Sequence, residues 1–558
     1  MPLHGRRVRG WTLARDVPPG TDVARLHDVL AVASAGPPAD VVALTEHAAW
    51  RWAGPRATFL RAASAPNLVE PGPAELHVAV FPESEAPVPV PRGRVRAVVW
   101  PPALRRAELV RSLAESTGST LVVAPNPREA SALTRVFARD GRVVHELRSD
   151  RSDAERTRAW RESRSGACIV VGGRLAVWAP VPDLTGIVLL DDSDEALAEE
   201  RAPAWHAREV AAERARRSEA RLSLVAPWLS VEAAALVGEE HTVAPPSLAR
   251  RGWPMIEAVD LREEPPGTGL LARSLGPRMQ RVLDRGGRAV LVLNRKGRAR
   301  LLVCQSCGGV AACERCGARL VEGDGAMVCA RCDQREPVQC QACGSTRFRR
   351  LRPGVTGLRD AVAALVPRRR VVAVDAASAP IPAFDVAIGT EAVLHRVEPD
   401  PTRPIGLVVF LDFDQELFAP RYRAVEQALW LLVRAARLVG PADTGGALVV
   451  QTRAPDHEVV RAARDADPMP LTASEERRRR ELRFPPFGGL AELRGDEAAV
   501  GAACDALRGA VEVVGPSGGQ ALLRAASVGE LCDALAATDL GPARALGRLR
   551  IDVDPLRV

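Results

Sequence analysis

Lysine is almost missing from this 558-residue chain: the single one is Lys296, and arginine carries the rest of the positive charge. A phosphate loop needs a lysine amine for the β- and γ-phosphates and a Ser/Thr hydroxyl for Mg2+. With the sole lysine standing in "RKGRA", no Gly-Lys-Ser/Thr triplet exists anywhere in the sequence. Long apolar runs are missing too: none approaches the roughly eighteen residues that a helical membrane span requires. The N-terminal "MPLHGRRVRGWTLARDV" has basic residues but lacks the apolar core of a signal peptide. A cytosolic location with no membrane partner is expected. Charged residues make up only 26% against 47% hydrophobic, which describes a globular chain, not a disordered one. The length exceeds what one core supports, so three or more domains are expected. A net charge of +7 makes a polyanionic partner reasonable without identifying it.

What is abundant is cysteine, in one place. Of eleven cysteines, eight form four Cys-x-x-Cys knuckles: Cys304/Cys307, Cys313/Cys316, Cys329/Cys332 and Cys340/Cys343. A two-residue gap lets both thiolates of a knuckle reach one tetrahedral ion, and two knuckles close a four-thiolate zinc site. Eight ligands therefore make two structural zincs per chain, and spacing alone allows three pairings of the knuckles. A disulfide framework is disfavoured where thiols stay reduced, and iron–sulfur ligation fits paired knuckles less well than zinc. Cys168, Cys504 and Cys532 lie in apolar strand or helix patterns and read as core residues.

The knuckles interrupt an α/β pattern. From about residue 93, short β-branched runs alternate with amphipathic stretches: "RAVVW", "STLVVAP", "ACIVVGG", "GIVLLDD" and "RLSLVAP", with "PREASALTRVFARD" and "DAERTRAWRESR" between them. This is the signature of βαβ units in a parallel sheet. After a proline-rich break at 243–265 the pattern resumes with "RAVLVLN", "RVVAVDA", "DVAIGT", "GLVVFLDFD" and "GALVVQT". Two α/β lobes result, with the zinc module placed after the first strand of the second. The stretch "SEAPVPVPRGR" at 84–94 reads as a linker.

Several segments, in order, resemble one family. "VLNRKGRARLLVCQSCGG" is similar to a strand ending in "LNRRG" that leads into a double-zinc module. "SDRSDAERTRAW", "VGGRLAVWAP", "PAWHARE", "AIGTEAVLHR", "LDFDQELFAPRYRAVEQA" and "RFPPFGGLAEL" are similar to further motifs of the same family along the chain. The family is the replication-restart primosomal protein N-prime, a group of superfamily-2 DNA helicases. The resemblance implies an α/β fold of two RecA-like parallel-sheet lobes with an inserted double-zinc module and small N-terminal and C-terminal α+β domains. It implies nested knuckles: Cys304, Cys307, Cys340 and Cys343 on one zinc, Cys313, Cys316, Cys329 and Cys332 on the other. Expected boundaries are 1–60 for a partial N-terminal DNA-binding domain, 61–92 for a reduced winged-helix and linker region, and 93–242 for lobe 1. Lobe 2 is expected at 243–300 and 351–460, around a zinc insertion at 301–350, with a C-terminal domain at 461–558.

The motor motifs depart from the family. Where it has "GVTGSGKTE", this chain has "WPPALRRAE", with Arg106 at the lysine position and Ala107 at the threonine position. The family's "DEEH" is "DDSD" here: Asp191 keeps a metal-capable carboxylate, and Asp192 is a methylene shorter than the catalytic glutamate. "SAT" becomes "APW", Ala226–Trp228, and "GRAGR" becomes "VRAAR", which keeps Arg434 and Arg437. That pair reads either as γ-phosphate contacts or, with the phosphate loop gone, as a solvated or ion-paired helix face. The family's aromatic-rich loop is "DDSDEALAEERAPAW" here, with one aromatic, Trp205, among many carboxylates that would repel a phosphate backbone.

Three functions stay open. The first is a fork-binding primosome assembly factor without helicase or ATPase activity, to which ATP and Mg2+ are foreign. The second is an active ATP-dependent 3′–5′ DNA helicase, and the third a zinc-bearing interaction scaffold without DNA binding. The lost phosphate loop favours the first over the second. Arginines at the N-terminus, in "NRKGRAR" and in "RRRRELR" favour it over the third. DNA contact is expected at Arg295, Lys296, Arg298 and Arg300. The resemblance implies forked or single-stranded DNA, primosome proteins, single-stranded DNA-binding protein and the replicative helicase loading machinery as partners. It also implies a monomer at the nucleoid.

Overall fold

The computed structural model of the protein describes residues 33–70, 94–115, 117–264, 270–293, 301–351, 358–374 and 381–558, with residues 2, 3, 6, 7, 10, 11, 13 and 31. The stretch 71–93, holding most of the expected winged-helix region and the linker, lies outside them, as do Arg295, Lys296, Arg298 and Arg300.

After a short antiparallel pair of Pro2–Leu3 with Arg6–Arg7 come two helices, α1 (Ala39–Arg51) and α2 (Arg56–Ala63). Their inward residues Leu44, Ala48, Trp52 and Phe59 are buried against the first lobe. That lobe runs β1 (Val95–Val99), α3 (Ala107–Leu113), β2 (Ser119–Val123), α4 (Pro127–Arg139), β3 (Val144–Leu147), β4 (Ile169–Gly172) and β5 (Leu184–Leu190). It continues with α5 (Ala207–Ser218), β6 (Arg221–Ala226), α6 (Val231–Val237) and β7 (His241–Val243). The strand order is β3-β4-β2-β5-β6-β1-β7 and every pair is parallel. Central strands covered on both faces must be apolar throughout, and β2 and β4 are buried at every residue. Asn126 caps α4 by accepting from the Arg128 N–H at 2.9 Å, with Pro127 at the first helical position.

The second lobe contains β8 (Met255–Asp260), β9 (Arg288–Val292), β10 (Val371–Val374), β11 (Val386–Gly389), β12 (Ile405–Phe410), α7 (Ala424–Val439) and β13 (Ala447–Thr452). Its sheet is parallel too, in the order β8-β13-β12-β9-β11-β10. Here the structure corrects the sequence reading: β8 lies inside the stretch read as a proline-rich break. The cysteine module therefore follows the second strand of this lobe, not the first. As an edge strand β8 is only partly buried, and "MIEAVD" offers no unbroken apolar run to mark it.

Helix α8 (Met469–Leu482) leads to an antiparallel sheet of β14 (Gly489–Gly495), β15 (Glu512–Ser517), β16 (Gln520–Ala525) and β17 (Leu549–Val553), in the order β15-β16-β14-β17. Leu493, Leu523 and Leu531 of this domain share one apolar core with α1, α2 and lobe 1, and Cys168, Cys504 and Cys532 are buried within it.

Candidate functional site

The loops leaving β1 and β5 face lobe 2 across a cleft of about 910 Å³ in which arginines and carboxylates occur in near-equal number. Ligands of parallel sheets sit at such carboxyl ends. The β1 loop holds the residues expected at the phosphate-loop position. Three of its backbone donors are already engaged: Trp100 N–H donates to the Ala226 carbonyl at 2.8 Å, Ala103 to Gly252 at 3.0 Å and Leu104 to Pro101 at 3.3 Å. Pro101 and Pro102 bring no N–H at all. Ala107 opens α3 and offers no hydroxyl.

Asp191 ends β5 with φ +53°, a left-handed conformation that aspartate tolerates better than most residues. Its side chain is fully buried and accepts two guanidinium forks. Arg106 of lobe 1 donates through Nη1 at 2.8 Å and Nη2 at 2.6 Å. Arg437, from α7 of lobe 2, donates through Nη1 at 2.8 Å and Nη2 at 2.7 Å. Arg106 also grips Glu129 on α4 at 2.6 and 2.7 Å, and Arg437 Nε reaches the Pro102 carbonyl at 3.3 Å. Bidentate, charge-assisted pairs of this kind are the strongest hydrogen bonds available to side chains. Burial works to raise the Asp191 pKa, but the Arg106 and Arg437 charges hold it well below the usual carboxylate range. Arg434 donates to Asp194 at 3.0 Å and touches His395, and both α7 arginines lie over the Trp430 ring at 5.1 Å.

Asp192 turns away from this cluster. It takes the Ser230 hydroxyl and Arg208 Nη1, the latter at 3.2 Å, while its Oδ1 is buried without a hydrogen-bond partner. Burial raises its pKa, and Arg208 offsets only part of the shift. The structure thus brings Arg106, Asp191, Arg434 and Arg437 to one cleft, with Asp192 in its wall engaged by Arg208 and Ser230.

Beneath the cleft lies a second set of charges that sequence reasoning missed. Arg479 on α8 is 1% exposed. It donates to Glu232 of α6 at 2.9 Å, to Glu475 at 3.1 Å, to the Pro485 carbonyl at 3.3 Å, and to Glu426 of α7. Arg423 also pairs with Glu232, and Tyr422 lies under both guanidiniums. Despite burial, Arg423, Arg479 and Arg208 hold the Glu232 pKa well below its usual range. This corrects the sequence reading of "RRRRELR" as a surface favouring DNA. Arg479 is a core residue, Arg478 pairs with Glu458 at 2.6 Å and with Glu475, and of the five arginines Arg477, Arg480 and Arg483 are exposed. Trp205 is not a stacking surface either: it is buried edge-on to Trp178 at 5.5 Å. Trp228, at the altered "APW", crosses from lobe 1 into the core of lobe 2 and meets Trp430 at 5.5 Å. A tryptophan placed just past a strand end was the one legible hint of that contact.

The cysteine module rises from β9. Four knuckles repeat one turn, in which the N–H after the second cysteine donates to the carbonyl of the first. The distances are 3.0 Å for Gly308, 2.8 Å for Gly317, 3.1 Å for Asp333 and 2.8 Å for Gly344. All four of these residues have φ between +55° and +73°, which is why three of them are glycine. The Sγ atoms of Cys304, Cys307, Cys340 and Cys343 come within 4.8 Å of one another, as do those of Cys313, Cys316, Cys329 and Cys332. A zinc–sulfur bond of about 2.3 Å requires tetrahedral sulfur–sulfur edges of about 3.8 Å. Here the closest pairs are 3.5 Å (Cys304–Cys343), 3.6 Å (Cys307–Cys340), 3.8 Å (Cys313–Cys332) and 3.4 Å (Cys316–Cys329). Both quartets fit a closed structural zinc.

The two clusters differ in their surroundings. In the first, Cys343 is exposed and Cys307 half-buried. In the second, Cys313, Cys316 and Cys329 are buried in an apolar cluster with Leu482 of α8 and, beside it, Phe484. Arg331 N–H groups tie that cluster to the Cys316 and Ala419 carbonyls at 3.0 and 3.3 Å. A chelator is therefore expected to remove the two ions at different rates. Cys343→Ser should abolish the fast phase without lowering the unfolding midpoint, and Cys316→Ser should lower it by several degrees, since the apolar face of α8 then loses its support. A colorimetric release assay showing one phase for both ions would contradict this.

Two parallel-sheet RecA-like lobes around a cleft, with paired four-cysteine clusters rooted in the second, define a helicase-like protein. No protein-family model matches the chain. It is 30% identical over 514 residues to the probable replication restart protein PriA of Deinococcus radiodurans, covering 81% of this chain and 54% of that one. It is 30% identical over 421 residues to the probable PriA of Mycobacterium tuberculosis (strain ATCC 25618 / H37Rv), covering 72% and 64%. To PriA of Treponema pallidum it is 29% identical over 404 residues, covering 69% and 60%. The chain is thus similar, over most of its length, to replication restart protein PriA. It spans roughly half to two thirds of the length of these curated relatives. Among solved structures it resembles RecG bound to a three-way DNA junction (TM-score 0.38, 11% identity, 69% of this chain and 44% of that one). It also resembles Saccharomyces cerevisiae Dbp5 bound to RNA and ADP BeF3 (TM-score 0.35, 10% identity, 70% and 90%). These likenesses are too distant to bear on function. Among the described residues no helix is long and apolar enough to cross a membrane.

Proposed function

We propose that the protein is a replication restart factor that binds abandoned or stalled forks and promotes primosome assembly, with no ATPase or helicase activity of its own. The observation that carries this reading is Asp191, the carboxylate of the second acidic motif, held by Arg106 and Arg437 where a motor would hold Mg2+ and phosphates. Similarity to replication restart proteins supports the DNA and primosome part of the reading. The two quartets hold structural zinc in it, with Cys304, Cys307, Cys340 and Cys343 on one ion and Cys313, Cys316, Cys329 and Cys332 on the other. The expected setting is the cytoplasm, at the nucleoid, as a monomer with forked or single-stranded DNA, single-stranded DNA-binding protein and helicase-loading proteins as partners.

One observation favours the scaffold reading instead: Arg478 and Arg479 are engaged by carboxylates and Trp205 is buried, so fewer groups remain for DNA. Fluorescence anisotropy with a forked oligonucleotide separates the two. Binding is expected at low salt and should weaken steeply between about 50 and 200 mM, because arginine–phosphate contacts release counterions. Glutamine at Arg295, Lys296, Arg298 and Arg300 together should reduce it more than glutamine at Arg477 and Arg480. No binding at any salt concentration would leave the scaffold.

A further inference from the structure

We propose that the two lobes are locked in one closed arrangement by a clamp built from the protein's own side chains, in which Asp191 is gripped from both lobes at once. The reading above concerns chemistry that the cleft has lost; the clamp is a mechanical role that the same cleft has gained. In a two-lobed motor the nucleotide is the removable link: arginines of one lobe touch phosphates held by the other, and release of the ligand lets the lobes part. Here the link is covalently part of the chain. Arg437 of lobe 2 makes two hydrogen bonds of 2.8 and 2.7 Å to Asp191 of lobe 1. Further contacts cross the same joint, among them Arg434 to Asp194 at 3.0 Å, the Val231 N–H to Glu426 at 2.9 Å, and Trp228 against Trp430. A ligand shifts a two-state equilibrium only by its difference in affinity for the two states. With Arg437 and Arg106 already facing a carboxylate, a nucleotide has no such difference to offer.

Hydrogen–deuterium exchange on the full zinc-loaded chain tests this. The segments 100–106, 191–195 and 430–437 should exchange at the same rates with no ligand, with Mg2+-ATP and with a non-hydrolysable ATP analogue. The variant Arg434→Ala/Arg437→Ala leaves the Arg106–Asp191 pair of lobe 1 intact. It should speed exchange in those segments by roughly ten-fold or more, while the central strands β4 and β12 stay protected. Arg437→Lys keeps the charge without the fork and should fall between the two, which preserves the test should the double variant fold poorly. Small-angle scattering should show a larger radius of gyration for the double variant than for the parent. Nucleotide-dependent protection or compaction of the parent would overturn the clamp. So would parent-like exchange in both variants. Fork binding measured on the same variants reports separately on the proposed restart function, because Arg434 and Arg437 are engaged by carboxylates within the cleft.

Discussion

Arg479→Ala is expected to lower the stability of the folded chain by about 3–5 kcal/mol, the scale for removing one partner from a buried ion network. The size follows from what is left behind. Arg479 is the shared partner of Glu232, Glu426 and Glu475, which come from α6, α7 and α8 and lie at 8% exposure or less. Removing the guanidinium leaves three carboxylates close together in a low-dielectric site, with Arg423 and Arg478 as the nearest remaining cations. Each carboxylate must then be desolvated without full compensation or take up a proton. Arg480→Ala is the control: its side chain is exposed, pairs with Glu476 and lies over the Phe487 ring, so a change within about 1 kcal/mol is expected. Urea unfolding followed by circular dichroism compares the two, with midpoints used because a chain of several domains need not unfold in one step. Equal midpoints would show that the hub does not hold the three helices together.

Turnover of Mg2+-ATP with forked DNA is expected to stay at the level of an Asp191→Ala control, and strand separation is expected to be nil. Phosphoryl transfer rests on positioning and on electrostatic stabilisation of the transferring group. Positioning fails first, because the Trp100, Ala103 and Leu104 N–H groups are engaged by carbonyls and two prolines sit beside them. Electrostatic stabilisation fails next: Arg437 is engaged at Asp191, and Arg434 at Asp194 and His395. A lysine grafted at position 106 with a threonine at 107 should restore nothing, since the Asp192 carboxylate is engaged by Arg208 and Ser230. Hydrolysis well above the Asp191→Ala control would return the active-helicase reading.

Much of the architecture was readable because buried parallel strands are monotonous. "STLVVAP" and "ACIVVGG" cannot be anything exposed, and both became central strands. Edge strands hid for the opposite reason: β8 is only partly buried and β7 is exposed throughout, so their polar residues break the apolar signal. The knuckles announced a metal module because thiolate geometry forces a fixed local spacing. The cleft was half legible. Arg434 and Arg437 were marked as either phosphate contacts or ion pairs, but the partner of Arg437 lies 246 residues away and only tertiary structure joins them. Arg479 was hidden most completely, since within "RRRRELR" nothing distinguishes the one arginine that points inward. Its three carboxylate partners are single residues scattered over α6, α7 and α8.

The sharing of Asp191 between two arginines also bears on how such a cleft can change over evolutionary time. Converting Arg106 alone towards a phosphate-loop lysine weakens the bidentate grip on Glu129 and Asp191 together; converting Asp191 alone strands two cations; removing Arg437 alone opens the joint. Each single step from this arrangement costs stability before any nucleotide chemistry returns. The three positions form one epistatic unit, so among descendants of this sequence they should be replaced together or not at all.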